Sequence, residues 1–307
     1  EEGKLDLDDP VSQYMPRMKY LAVITSFNED DGTYAIQNTE RQVTIRHLLT
    51  HTSGFGYNFS NRVLSGLEEK TGLAQPELPI LHQPGEGWTY GMGTRVLGDL
   101  VEQISGQTLP RFYQERIFEP LGMEDTYYTL PEEKYPLRVT RHQRENGALV
   151  ERSNPPEQQP AIYGDRGLLS TAQDYVKFLQ MLLNRGTFNG NRLLAEDSVA
   201  MMTRNQIGEV VVHTQTGPNP ALSRPFPLGA GRDKFGLGFQ VTVASQEERH
   251  LRSPGSYSWA GLANTHFWAD PEKDIAAVIL MQVWPFYDEE CIKVYRGFEE
   301  LIYRYLD

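Results

Sequence analysis

With 307 residues, 39% of them hydrophobic and 11% aromatic, the chain has the composition of a folded protein and not of a disordered one. Its formal charge of -12 would repel a phosphate backbone, and no Lys/Arg cluster stands against that average, so nucleic acid is excluded as an expected partner. The longest apolar stretch, Ile275 to Met281, is of strand length, which predicts no membrane span, and the single cysteine, Cys291, rules out an internal disulfide or a multi-cysteine metal site.

In chain order, Glu1-Glu2-Gly3-Lys4 carries neither an initiator Met nor a basic-then-apolar leader, so a further segment is expected upstream. Gly3, Leu5, Leu7 and Asp9-Pro10 read as a helix end running into an extended turn. Val43 to Gly54 begins with a Thr cap and places Ile45, Leu48 and Leu49 at helical spacing, predicting a short buried helix that delivers the loop Phe55 to Phe59. A Pro-rich connector around Pro76, Pro79 and Pro84 follows. Thr94 to Ser105 then aligns Val96, Leu97, Leu100, Val101 and Ile104 on one face before Gly106, and a second helix, Leu109 to Phe118, stops near Pro120. Leu130 to Pro160 lacks periodicity and reads as surface loop with room for a short strand.

Ser170-Thr171-Ala172-Gln173 has capping-box spacing, and Tyr175, Phe178, Leu179 and Leu182 continue it as a helix up to Gly186. From Gly236 the period changes to that of strands: Gly238 to Val243, Ala263 to Ala269 and Ile275 to Val283, the last two forming a hairpin through Asp270-Pro271 to Lys273-Asp274. Asp288 to Tyr305 is a terminal helix lying on that sheet. The expected organisation is a mostly helical lobe over residues 1–165 and an α/β lobe over 166–307.

Several residues invite a chemical reading. His47 and His51 stand four apart, as zinc ligands on a helix do, but Leu48 occupies the place where a zinc protease carries its Glu, so a packed, hydrogen-bonded pair is expected. There is no Gly-x-Ser-x-Gly elbow and no phosphate-binding glycine loop. Tyr90, in Trp88-Thr89-Tyr90-Gly91, projects from a loop and so is not committed to a packed face. Ser258-Trp259-Ala260-Gly261-Leu262 puts small residues and one large aromatic at a strand edge, where backbone N–H groups can hold an oxyanion; a strand opening with a buried Trp is the plainer reading.

The order of the motifs carries a resemblance. Glu1 to Pro10, then Ile45-Arg46-His47-Leu48-Leu49-Thr50-His51-Thr52-Ser53-Gly54, Trp88-Thr89-Tyr90, Pro120-Leu121-Gly122-Met123 and Gly167-Leu168-Leu169-Ser170-Thr171-Ala172 resemble, in sequence order, the signatures of the class C β-lactamase-like, penicillin-recognising serine hydrolases. The resemblance implies an α/β (α+β) fold of the β-lactamase/transpeptidase type, with an antiparallel sheet flanked by helices beside a mostly helical lobe. It implies a Ser-x-x-Lys nucleophile motif just before the Glu-Glu-Gly-Lys segment. No Ser in the 307 residues is followed three places later by Lys, so the nucleophile is expected in a missing N-terminal segment or chain, whose strands would pair with Gly236 to Val283.

On the same resemblance, Tyr90 matches the general base, although Gly91-Met92 departs from the usual Ser-Asn or x-Asn. Trp259-Ala260-Gly261 falls where β-lactamases carry Lys-Thr-Gly, and a Trp-x-Gly third motif is similar to the esterase branch, the family VIII carboxylesterases. Leu262 would then give one oxyanion N–H, Tyr57 would line the pocket or simply pack, and Trp88 would wall it. The implied activity is hydrolysis of carboxylic esters through an acyl-enzyme, with no cofactor and no metal. A small-molecule ester or β-lactam-like substrate is the expected partner. A β-lactamase or D-Ala-D-Ala peptidase, an acyltransferase and a non-catalytic binding protein are the alternatives. The compartment stays open.

Overall fold

The computed structural model describes residues 1–74, 77–154, 161–244 and 252–306; Pro76 of the expected connector and the end of the expected loop at Pro160 lie outside the described residues. The chain opens with bends and short turns, Gly3 in the left-handed region at φ 68°, and reaches a hairpin of β1 (Ala22–Phe27) and β2 (Tyr34–Asn38). Thr44 then caps α1 (Ile45–Leu49): its side chain accepts the His47 N–H while His47 Nδ1 accepts the Thr44 N–H at 3.2 Å, a reciprocal capping box.

α2 (Arg62–Thr71), absent from the sequence expectations, starts on an Asn61 cap. α3 (Gly93–Ser105) runs to the predicted Gly106, which is left-handed at φ 68°. The following helix does not stop before Pro120. It continues from α4 (Leu109–Tyr113) through a π-helical turn, Gln114–Phe118, into α5 (Glu119–Leu121), which carries Pro120; left-handed Gly122 ends it.

The stretch read as loop holds a full hairpin, β3 (Arg141–Glu145) with β4 (Ala148–Arg152). α6 (Ala172–Leu183) is capped by Thr171, whose hydroxyl accepts the Asp174 N–H, one residue later than the Ser170 spacing predicts. A two-residue hairpin, β5 (Thr187–Phe188) with β6 (Asn191–Arg192), and the unpredicted α7 (Glu196–Met202) lead to the main sheet. Its strands are β7 (Lys234–Phe235), β8 (Gln240–Val241), β9 (Tyr257–Gly261), β10 (Thr265–Asp270) and β11 (Ile275–Ile279), antiparallel in the spatial order β11-β10-β9-β8-β7. The expected third strand divides: β11 ends at Ile279, and β12 (Val283–Trp284) leaves to pair with β3. α8 (Glu289–Leu306) closes the chain.

The sheet is sandwiched. Phe267, Ala276 and Val278 face α6, through Leu179 and Leu182, together with Phe118, Leu121 and Met123 of the α4–α5 segment. Trp268, Ala277 and Ile275 face α8, through Tyr295 and Tyr303. Alternation along β10 and β11 puts successive side chains on opposite faces, and both faces are covered, which is why these strands read as nearly continuous apolar runs. A separate core joins α1 to α3 through Leu48, Met92, Val96 and Leu100. The candidate site is built on a further cluster, Trp88, Ile207, Val212 and Phe235, with Tyr90 and Trp259 packed against it.

Candidate active site

α1 ends at Leu49 with Thr50 as its C-cap, so His51 is not on the helix; it takes a left-handed conformation at φ 56° that turns its ring under the Trp88–Tyr90 loop. The zinc-like spacing of His47 and His51 is therefore a spacing in sequence alone. His47 serves the helix cap, while His51 sits in an aromatic box, 5.0 Å between ring centroids from Tyr90, 5.3 Å from Phe235, 6.2 Å from Trp88 and stacked at 6.1 Å on Trp259. Burial drives the pKa of His51 down to about 3 and, with the charge of Arg41, that of His47 to about 4, so both are neutral near pH 7.

Tyr90 is held in place by glycine. A Cβ on Gly91 would lie 2.1 Å from the Phe55 carbonyl oxygen, so the residue after Tyr90 must be glycine for the loop after α1 to pack where it does. This accounts for the departure from Ser-Asn, and Met92 at the next position is a core residue. The Tyr90 ring lies 5.2 Å from Trp259 and 5.2 Å from Tyr57. Burial first, and the negative charge of Asp165 second, push the Tyr90 phenol up to about 12, with the Trp259 side chain as hydrogen-bond donor drawing it partly back. A tyrosine acting as general base at neutral pH needs a cation to lower its pKa; the described surroundings act in the opposite direction.

Trp259 lies within β9, the middle strand of the sheet, in register with Phe267 of β10. The strand opening is therefore two residues earlier than Trp259. On the opposite side, β8 pairs only with Tyr257 and Ser258, so among the described residues Trp259 to Gly261 run on past the end of β8. Leu262 heads the turn into β10, and a Cβ at Gly261 would meet Thr265 Oγ1 at 2.2 Å, so a larger residue there would have to turn that hydroxyl aside. Tyr90, Trp259, Ala260, Gly261 and Leu262 share one narrow cleft of about 40 Å³ with Phe59, Gln215, Phe226 and Phe286, none of which was singled out in the sequence.

Two expected pocket residues stand behind that cleft. Trp88 is buried against Phe235, with ring centroids 5.7 Å apart, and supports the Tyr90–Trp259 contact from below. Tyr57 packs on Phe59 at 5.0 Å and donates its hydroxyl to Asp165 Oδ2 at 2.7 Å. Asp165 was not anticipated. It is placed by Gly98 of α3 and Gly164, whose Cα atoms approach so closely that a Cβ on either would lie within 3 Å of the other, and that juxtaposition has no signal in a single sequence.

The comparisons agree with this architecture. The beta-lactamase family model matches residues 1–299, and the chain belongs to that family. An uncharacterized protein of Mycobacterium tuberculosis (strain CDC 1551 / Oshkosh) is 32% identical over 305 residues, covering 93% of this chain and 73% of the relative. The monacolin J acid methylbutanoyltransferase of Aspergillus terreus (strain NIH 2624 / FGSC A1156) is 28% identical over 328 residues, covering 99% and 77%. Among solved structures, unliganded simvastatin synthase from Aspergillus terreus superposes with a TM-score of 0.79 at 27% identity, covering 99% of this chain and 78% of that one. The fold is thus the β-lactamase/transpeptidase type, antiparallel sheet and helices in the α+β manner, as the motif order implied. No helix among the described residues is long and apolar enough to cross a membrane.

Proposed function

We propose that this chain forms the acyl-transfer site of a serine enzyme acting on carboxylic esters, with Tyr90 moving the proton and the Trp259–Leu262 segment lining the acyl pocket. The observation that carries this reading is the convergence of Tyr90, from the loop before α3, with Trp259 to Leu262, from the sheet, on a single cleft. The serine attacks the ester carbonyl, the alcohol leaves with a proton, and the acyl-enzyme is released by an acceptor. The 307 residues contain no Ser-x-x-Lys, so this reading takes the serine and its lysine from a segment or chain outside them. That lysine would supply the cation that the raised Tyr90 phenol needs. The backbone N–H of Leu262 would be one of two oxyanion donors, each worth on the order of 10² to 10³ in rate.

Water as acceptor gives an esterase. An alcohol as acceptor gives a transferase, a second reading favoured by the likeness to the methylbutanoyltransferase and to simvastatin synthase. With Trp259-Ala260 in place of a Lys-Thr pair, a substrate carboxylate finds no cation there, which favours neutral esters over β-lactams.

The test is turnover of a short-chain nitrophenyl ester and of nitrocefin by the natural protein that contains this chain, with and without an added alcohol. Ester cleavage that Tyr90→Phe lowers at least about 100-fold supports the reading, and the ratio of free acid to new ester separates esterase from transferase. Preferential cleavage of nitrocefin, or ester turnover indifferent to Tyr90→Phe, refutes it. Fluorophosphonate labelling followed by intact-mass measurement locates the serine.

A further inference from the structure

Two aromatic pairs line the cleft. Tyr90 and Trp259, with rings 5.2 Å apart, stand where the proton moves; Phe226 and Phe286, also 5.2 Å apart and both buried, take no part in the chemistry. The second pair is backed by a further layer, Tyr287 at 5.3 Å from Phe226 and His266 stacked at 6.0 Å on Phe286. Its backbone is held too. The Phe286 N–H donates to the Leu222 carbonyl at 2.9 Å, its carbonyl accepts the Arg224 N–H at 3.0 Å, and the Phe226 N–H donates to the Gln215 carbonyl at 3.0 Å. Asn264, buried two residues after Leu262, donates from Nδ2 to the Val283 and Pro285 carbonyls at 2.8 Å each, which ties the turn carrying the Leu262 N–H to the segment leading into Phe286. A wall packed and bonded in this way does not retract to make room.

We propose that Phe226 and Phe286 are specificity-determining residues that close the acyl end of the cleft, so that it takes acetyl and propionyl groups and turns away longer acyl chains. The inference rests on the reading of the Tyr90–Trp259 cleft as the acyl site. The space there is about 40 Å³. A water-sized group needs about 10–15 Å³ of such space, so about three or four non-hydrogen atoms fit: the carbonyl carbon, its oxygen and the first carbons of the chain. A segment that brings the serine and its lysine adds a wall to this cleft and takes none away, so the limit carries over to the protein that contains it. The limit applies to the acyl side of the ester bond, since the alcohol departs from the other side of the carbonyl. In an apolar pocket with room to spare, each added methylene raises kcat/KM by about tenfold or more; where the room has run out, it lowers it. The direction of the chain-length trend therefore reads the wall.

Vinyl acetate, propionate, butyrate and hexanoate share one small leaving group, and the acid each releases is counted by pH-stat titration with the natural protein that contains this chain. The expected kcat/KM is highest for acetate or propionate and at least about 30-fold lower for hexanoate. Phe226→Ala should raise the hexanoate-to-acetate ratio at least about tenfold. Phe226→Leu and Phe286→Leu keep a buried apolar side chain and hence the fold, and each should raise the ratio about threefold. An optimum at butyrate or beyond in the unaltered protein overturns the proposal without recourse to any variant, as does a ratio that both leucine variants leave unmoved; in both cases ester cleavage in the cleft still stands. Cleavage of none of the four esters, or cleavage indifferent to Tyr90→Phe, overturns the acyl-site reading, and the proposal falls with it.

Discussion

Two clusters in this molecule bury polar side chains among aromatic rings, and they differ in how their charged and ionisable groups are partnered. Beneath α8, Arg252 pairs with Glu299, donates to the Tyr295 hydroxyl and lies 4.8 Å over the Trp268 ring. Beside it Asp270 accepts the Ser253 N–H at 2.9 Å and the Tyr303 hydroxyl at 2.8 Å, so that its pKa is lowered although burial alone would raise it. Around Tyr90 the supply of partners is poor. His51 Nδ1 and Trp88 Nε1 are buried with no hydrogen-bond partner among the described residues, and the Tyr90 phenol is pushed upward. In the first cluster the charged groups are paired and hold α8 to the sheet, although Trp268 Nε1 and His266 Nε2 are buried there without a hydrogen-bond partner among the described residues. The second is left with unmet polar groups, the condition in which a substrate or a neighbouring cation gains most from arriving.

The sharpest way to break this comparison is to unbalance the charge-paired cluster. Arg252→Ala leaves Glu299 and the Tyr295 hydroxyl without their cation in a place of low water access, and the expected loss is about 3–5 kcal/mol in urea unfolding. A loss below about 1 kcal/mol would mean that the network contributes nothing net. At the second cluster the comparable step is steric. Gly91→Ala drives a methyl group into the Phe55 carbonyl, with an expected cost of about 2–3 kcal/mol and a shift in Trp emission as Tyr90 moves off Trp259. An unchanged melting temperature would show that the loop yields freely.

His51 extends the comparison to pH. An unfolded histidine takes up a proton near pH 6.5, but the folded protein refuses it until about pH 3, so stability is lost as pH falls through that window and is unaffected above it. At pH 5 the expected loss relative to pH 7 is about 2 kcal/mol from this residue. His51→Asn, chosen because Asn tolerates the left-handed backbone, should flatten the pH dependence of unfolding free energy by one proton's worth. Asp270 behaves differently: its depressed pKa gives stability that is present above the ordinary carboxylate range and lost only below it, so the two contributions separate along the pH axis.

What could be read from the sequence follows the same division between local and non-local causes. α6, α3 and the β10–β11 hairpin were legible because their caps, glycines and apolar spacing are local, and Tyr90 and Trp259 were legible because their motifs carry the family resemblance. α2 was not, since Gly66 interrupts its pattern; that glycine answers to Phe27, whose ring would lie 2.8 Å from any Cβ at that position. α7 has a single buried side chain, Val199, and so presents no stripe to recognise. The parallel pairing of β12 with β3 joins residues 141 apart, from Val283 to His142, and Asp165 reaches the site only through the contact of Gly98 with Gly164. Neither can be inferred from spacing.

The smallest expected effect bears on the boundary between the two kinds of cluster. Tyr57 gives the second cluster a charge-assisted hydrogen bond, to Asp165, and in that respect resembles the charge-paired network. Tyr57→Phe removes the donor and keeps the ring, so its packing on Phe59 and Tyr90 persists while the carboxylate loses a partner at 2.7 Å. The expected destabilisation is about 1 kcal/mol, the net worth of one such hydrogen bond. Ring-labelled tyrosine NMR would follow the Tyr90 phenol at the same time. If the hydrogen bond disperses the Asp165 charge, its removal raises the Tyr90 titration further; a Tyr90 titration that falls would mean that the Tyr57 hydroxyl, and not Asp165, governs the polarity of the cleft.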